Sequence, residues 1–320
     1  MVQQGSIVLL SRGQYRLREV LGGSAYGAVW RADAPGASGS VALKLVNREQ
    51  MARAPAALHR HWIDSARTEI RFLSALAPWD GRHIVRLLDS GMHDGLPAMA
   101  LELLDGDLAE HLAGERSAGR PTAPGQALDW IAQVNQALAK VHAAGFRYLD
   151  LKPGNLLVDR RTGCLKLADF GTSRALGDAP THAYAGTANW QAPEQFFPQP
   201  QGLYHTGQRS DYFALGALLY YLACGQLLRY GAACGQAYQL HGREGASYLH
   251  RQHGGPPQTL HPDELARFAA CFGPAAPHAS SLLRALLASA PGARPGHALE
   301  ISRMLCAVQD AMVPHLEKAA

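Results

Sequence analysis

Asp150, Asn155 and Asp169 are the side chains in this chain best suited to chemistry. They fall in two short clusters, Asp150-Leu-Lys152-Pro-Gly-Asn155 and Asp169-Phe-Gly171, whose leading aspartates are 19 positions apart. Two carboxylates and an amide offer oxygen donors of the kind a hard divalent cation carrying phosphate requires. Between the clusters run Leu156-Leu-Val158 and Cys164-Leu-Lys-Leu-Ala168, joined by Asp159-Arg-Arg-Thr-Gly163. Two apolar runs around turn-forming residues predict a hairpin, with one acidic cluster entering it and the other leaving. Such a hairpin gathers Asp150, Asn155 and Asp169 at one end.

The two clusters, in this order, resemble the catalytic loop (H-R-D-L-K-P-x-N) and metal-binding segment (D-F-G) of eukaryotic-type serine/threonine protein kinases. The resemblance implies an α+β, two-lobed protein kinase-like fold, with a small β-rich N-lobe and a larger, mostly helical C-lobe. It implies that Asp150 accepts the proton of a substrate hydroxyl and that Lys152 steadies the transferring phosphate. Asp169 and Asn155 would hold Mg2+ or Mn2+, and the phosphate donor would be ATP. Leu73, Leu87, Tyr148 and Phe170 match the apolar spine of active kinases. Tyr148 and Leu149 stand where the family usually has His and Arg. Leucine cannot grip a phosphate on the activation segment. Activity independent of phosphorylation through this residue is therefore expected.

Other elements must position these groups. Residues 15–21 and 28–32 alternate like strands around Gly22-Gly23-Ser24-Ala-Tyr-Gly27. A glycine-rich hairpin tip lets the backbone approach phosphate oxygens closely. By resemblance it is the kinase glycine loop, starting at Leu21, with Ser24 replacing its second glycine. Lys44 interrupts an apolar strand, and an inward lysine needs an anionic partner. The resemblance makes Lys44 the contact to the α- and β-phosphates. By the same resemblance its carboxylate partner sits on the next long helix; residues 64–77 carry a helical period and include Glu69, the expected partner, with Glu49 as the alternative. Val29, Ala42 and Leu157 would sandwich the adenine. Leu101 would be the gatekeeper, and the backbone of Glu102 and Leu104 would meet the adenine edge. Asp107 is read equally as a ribose contact and as the N-cap of the helix starting at Leu108.

Residues 126–144 predict an amphipathic helix that feeds the catalytic stretch, stopped by Gly145. Gly186-Thr187-Ala-Asn-Trp-Gln-Ala-Pro-Glu194 resembles the segment ending in A-P-E that shapes the peptide site. Thr172, Thr181 and Thr187 belong to the activation segment, and Thr172 leans toward threonine substrates. Asp211 fits the family's buried aspartate behind the catalytic loop, or a plain N-cap. Arg294 fits the partner of Glu194, or a surface arginine. Residues 225–280, rich in Gly, His, Gln and Pro, read as a solvated irregular insert with one helix at 262–271; docking of a partner is the other reading. A final helix is expected over 298–318.

With 320 residues, 47% of them hydrophobic, the chain has enough material for two cored lobes. The expected limits are an N-terminal extension at 1–13, an N-lobe at 14–102, a hinge at 103–106 and a C-lobe at 107–305, with a helix end at 306–320. Net charge is only +4, with 30 basic and 26 acidic side chains spread along the chain, which argues against nucleic acid as partner. Five cysteines without a C-x-x-C pair fit a cytoplasmic protein. No signal peptide is expected at the start. The most apolar stretch, residues 212–228, is short for a membrane span and reads as a core helix. Abundant Ala, Gly, Pro and Arg hint at a GC-rich bacterial source. The function implied is transfer of the γ-phosphate of ATP to Ser/Thr hydroxyls of protein substrates, with autophosphorylation. The alternatives are a pseudokinase scaffold that binds ATP without transferring phosphate and a small-molecule phosphotransferase.

Overall fold

The structure, a computed structural model, describes residues 2–24, 27–37, 39–178, 181–182, 184–199 and 202–313. The chain divides into two compact units. One comprises residues 1–106 with 157–162 and 166–173; the other comprises 107–156, 163–165 and 174–320.

The first unit is built on a twisted antiparallel sheet. Its strands are β1 (Ile7–Leu10), β2 (Gly13–Ser24), β3 (Gly27–Asp33) and β4 (Ser40–Val46), then, after helices α1 (Arg48–Arg53) and α2 (Ala56–Ala75), β5 (Leu87–His93) and β6 (Leu96–Glu102). The order is β1-β2-β3-β4-β6-β5. β1 lies in the stretch 1–13, expected as an N-terminal extension, and alternates as a half-buried strand: Val8 and Leu10 are buried and Ile7 and Leu9 exposed. Short length and only four alternating positions hid it. Its inward residues join Leu17, Leu43, Leu45, Ala98 and Ala100 in one core. Asp89 of β5 ties that strand to the β1–β2 turn and to β2, accepting from Arg12 N (2.8 Å) and from the Tyr15 hydroxyl (3.0 Å). α2 starts eight residues before the predicted helix and stops at Ala75, three residues ahead of Pro78.

The second unit is largely helical. α3 (Leu108–Ser117) and α4 (Pro124–Ala143) lead into the short strand β7 (Phe146–Arg147). Leu128, Ile131, Val134, Leu138 and Val141 of α4 are at most 2% exposed, and Gly145 ends the turn with φ 82°. The hairpin strands that follow, β8 (Leu156–Asp159) and β9 (Cys164–Leu167), belong largely to the first unit and pair around Gly163 at φ 69°. β10 (Arg174–Ala175) pairs with β7; β11 (Thr181–His182) pairs, across α5 (Pro193–Phe196), with β12 (Tyr204–His205). α6 (Gln208–Cys224) is apolar on nearly every side and almost wholly buried. A Cβ at its Gly216 would stand 2.7 Å from the Leu286 Cβ, so only glycine lets the helices approach this closely there.

The expectation of an irregular insert at 225–280 is wrong. The stretch is four helices: α7 (Arg229–His241), α8 (Gly245–His253), α9 (Pro262–Ala270) and α10 (Ala276–Leu286). Its glycines and prolines sit at helix ends and close contacts, where they punctuate helices rather than abolish them. The last helix, α11, spans Ala298–Met312; residues 314–318 of the predicted helix lie outside the described residues. Among the described residues no single helix is long and apolar enough to cross a membrane.

Candidate active site

Within the first unit, β4 delivers Lys44 to a buried corner. Its Nζ lies 2.6 Å from Glu69 Oε2 and 2.8 Å from Asp169 Oδ1. Glu69, on α2, is 1% exposed. Burial works against the lysine's charge, but Asp169 and Glu69 outweigh it and hold the ammonium above its usual pKa. Burial in turn pushes the Glu69 carboxyl up. The predicted alternative, Glu49, sits instead in the first turn of α1.

Asp169 adopts a left-handed backbone (φ 56°), a costly conformation for a residue with a Cβ. The next residue, Phe170, stacks on Phe72 of α2 with ring centroids 4.4 Å apart. Phe72 was not singled out from sequence. A Cβ on Gly171 would come within 2.1 Å of the Ser65 Oγ, so the backbone presses directly on α2. Leu73 is buried; Leu87 is half-buried at the start of β5.

The residues assigned to the adenine lie on neighbouring strands of the same unit. Ala42 pairs with Arg31 and Leu101, and Val29 pairs with Lys44. Leu21 is exposed and Leu157 half-buried. Glu102 donates its N–H to Arg86 O (3.0 Å), so that donor is not available to a base; its carboxylate holds Lys166 at 2.6 Å. The strand after Leu104 is hooked onto β8, with Asp105 N on Val158 O and Val158 N on Gly106 O. Gly22, Gly23 and Gly27 flank the glycine-loop tip, and space around Gly22 is open. Ala25 and Tyr26, and the side chains of Ser24 and Thr181, lie outside the described residues.

Within the second unit, the catalytic-loop cluster is closely knit. Asp150 is 8% exposed. Its Oδ1 accepts from Thr187 Oγ1 (2.7 Å), and its Oδ2 accepts from Lys152 Nζ and Asn155 Nδ2 (both 2.9 Å). Lys152 also donates to Thr187 Oγ1 at 2.7 Å. Asn155 commits its Nδ2 to Asp150, which leaves Oδ1 as its cation-binding end. Asp107 caps α3, accepting from Glu110 N at 2.9 Å, the second of the two roles read for it. Thr172 is half-buried beside Gly171, in the first unit.

The loop's backbone hangs on Asp211, which is 1% exposed. Asp211 Oδ2 accepts from Tyr148 N (2.9 Å) and Oδ1 from Leu149 N (2.7 Å). Leu149 is left-handed (φ 72°), and Gln195 Nε2 grips its carbonyl at 3.0 Å. His142 adds a contact the sequence did not announce, Nε2 to Asp211 Oδ2 at 2.8 Å. Arg147, another residue not singled out, is 2% exposed, sits opposite Arg174 in the β7–β10 pairing and donates to Thr206 O. Arg294 and Glu194 form a bidentate pair at 2.7 and 2.9 Å, with Ser210 Oγ also on Glu194.

Among the described residues, no three His, Cys, Asp or Glu side chains converge into a metal cage. Asp169 in the first unit and Asn155 in the second each offer an oxygen of the kind a hard divalent cation takes. The protein kinase domain family matches residues 15–306. The chain belongs to the protein kinase family. It is 35% identical over 226 residues to the serine/threonine-protein kinase PkaA of Streptomyces coelicolor, covering 67% of this chain and 39% of that protein. PrkC of Bacillus subtilis is 29% identical over 219 residues (67% and 31%), and Pkn1 of Myxococcus xanthus 29% over 232 residues (70% and 31%). The chain spans about a third of the length of the curated relatives it matches. The match makes the β-rich first unit and the helical second unit the two lobes of the kinase fold, and the relatives are bacterial.

Proposed function

We propose that this kinase domain transfers the γ-phosphate of ATP to serine and threonine hydroxyls of proteins, its own included. The observation that carries this reading is the state of Asp150. A base must present a carboxylate oxygen to the hydroxyl it deprotonates. Lys152, Thr187 and Asn155 fix both Asp150 oxygens, so the carboxylate is aimed before any substrate arrives. Phosphoryl transfer asks a protein for positioning and charge neutralisation more than for covalent work. Lys44, steadied by Glu69, supplies a fixed positive charge for the phosphates; Lys152 supplies a second for the group in transit. Asp169 and Asn155 are the residues that would hold a divalent metal, which would supply positive charge against the phosphates. The names of the relatives favour serine and threonine over tyrosine. The Glu194–Arg294 pair and the segment it braces weigh against a small-molecule phosphotransferase.

The test is incubation of the purified protein with γ-labelled ATP and Mg2+ or Mn2+, with a basic protein substrate, beside Asp150→Ala. Label on serine and threonine, abolished by the substitution and by EDTA, is expected. Nucleotide binding without any label on protein would overturn the reading in favour of a scaffold.

A further inference from the structure

On the acceptor side of the site, α7 packs against the segment that follows Thr187. Two of its glycines, one helical turn apart, face a single residue. A Cβ at Gly231 would lie 2.3 Å from Asn189 O, and one at Gly235 would lie 2.3 Å from Asn189 Nδ2. The backbone of α7 therefore lies flat on the turn 188–190, immediately after Thr187, the residue that bridges Asp150 and Lys152. Near its far end, two turns further on, α7 carries Tyr238. The ring of Tyr184, from the same segment, stacks on it with centroids 4.8 Å apart and planes 10° from parallel; Tyr204 packs on Tyr184 edge-on at 5.4 Å. Burial first, and the neighbouring Tyr238, push the Tyr184 phenol well above its usual pKa, as a ring seated in a dry slot requires. Between the two contacts, Gln191 Nε2 closes the segment on Ala185 O at 2.6 Å. α7 is itself wedged: a Cβ at Gly245, the first residue of α8, would stand 2.7 Å from the carbonyl of Ala237.

Leu149, by contrast, gives the segment no charge to lean on. It is 3% exposed, and its backbone is committed to Asp211 and Gln195. We propose that α7 is the strut that keeps residues 184–191 in their working arrangement through the Asn189 notch and the Tyr184–Tyr238 stack. A phosphate on the segment is then not needed for activity. Tyr184, Asn189 and Tyr238 are positioning residues, acting on Asp150 through Thr187. The proposal rests on the kinase reading above.

The test compares wild type, Tyr238→Ala, Tyr238→Phe and Gly235→Ala. Each is treated with phosphatase, checked by mass, and assayed for kcat and KM with a protein substrate, ATP affinity, and amide hydrogen exchange over 184–191. Tyr238 is 37% exposed, so its truncation leaves the core intact. Dephosphorylated wild type is expected to keep its kcat/KM. Tyr238→Ala is expected to lower kcat/KM for the protein substrate by about fivefold or more and to speed exchange over 184–191, with ATP affinity unchanged; Tyr238→Phe restores both. Loss of wild-type activity on phosphatase treatment overturns the proposal. So does a Tyr238→Ala protein with wild-type exchange and kcat/KM. If no form transfers phosphate while exchange still responds to Tyr238→Ala, the kinase reading fails and the strut stands.

Discussion

The hydroxyl of Thr187 has two tasks at once, donating to Asp150 Oδ1 and accepting from Lys152 Nζ. Its removal takes a donor from Asp150 Oδ1 and leaves Lys152 with Asp150 Oδ2 in place of two acceptors, so the carboxylate is held by fewer bonds. Thr187→Ala is expected to lower kcat by about 10–100-fold, the cost of a misplaced general base, while ATP affinity holds and Thr187→Ser recovers most of the rate. Steady-state kinetics of the three proteins checks this. At this scale the sequence was most legible where chemistry is contiguous: Asp150, Lys152 and Asn155 lie within six residues. His142, Gln195 and Phe72 went unnoticed because each acts on a partner 46–98 residues away, and no local pattern marks such a pair. Leu149 and Asp169 were named for their side chains, yet both also carry left-handed backbones. Strain of this kind persists only where surrounding bonds over-determine it, as Asp211 and Gln195 do at Leu149.

Among the elements, β1 and the α7–α10 run were the least legible. β1 offers a four-residue alternation beside a polar turn, below the length at which period-two patterning stands out. The run failed for the opposite reason. Its helices are interrupted by glycines whose role is contact with another backbone, and helix propensity does not register that. Beside β1, β2 is bonded to β5 through Tyr15 and Asp89, and this makes the first unit sensitive to base. Burial first, and then the hydrogen bond to Asp89, raise the Tyr15 phenol from 10.0 to about 12. A folded-state pKa above the unfolded one stabilises below the unfolded value and is lost as pH rises through the folded one. Stability is thus expected to fall between about pH 10 and 12, and Tyr15→Phe is expected to flatten that part of the profile. Urea unfolding at a series of pH values, followed by a probe in the sheet, measures it.

For the whole molecule, a β-rich and a helical unit are what the resemblance of the catalytic motifs implies, and the family match agrees with that fold. What no pattern revealed is how completely Arg294 is enclosed. Its guanidinium donates to Glu194, Ala288 O, Ser289 O and Arg209 O, and lies over the Phe213 ring at 5.0 Å. Removing one member of a buried ion pair strands the other charge. Arg294→Ala is expected to cost about 3–5 kcal/mol of stability, read as a lower urea midpoint. Glu194→Gln together with Arg294→Ala is expected to cost less than the sum of the single changes.

The same pair sets a constraint in time. Glu194 and Arg294 are 100 residues apart in the chain. At about 5–20 residues per second, a ribosome takes roughly 5–20 s to go from one to the other. For that interval the nascent helical unit has α6, with Ser210 Oγ as a donor to Glu194, but lacks the cation that completes the pair. The ion pair behind the A-P-E turn is therefore among the last contacts of this domain that the chain is able to make.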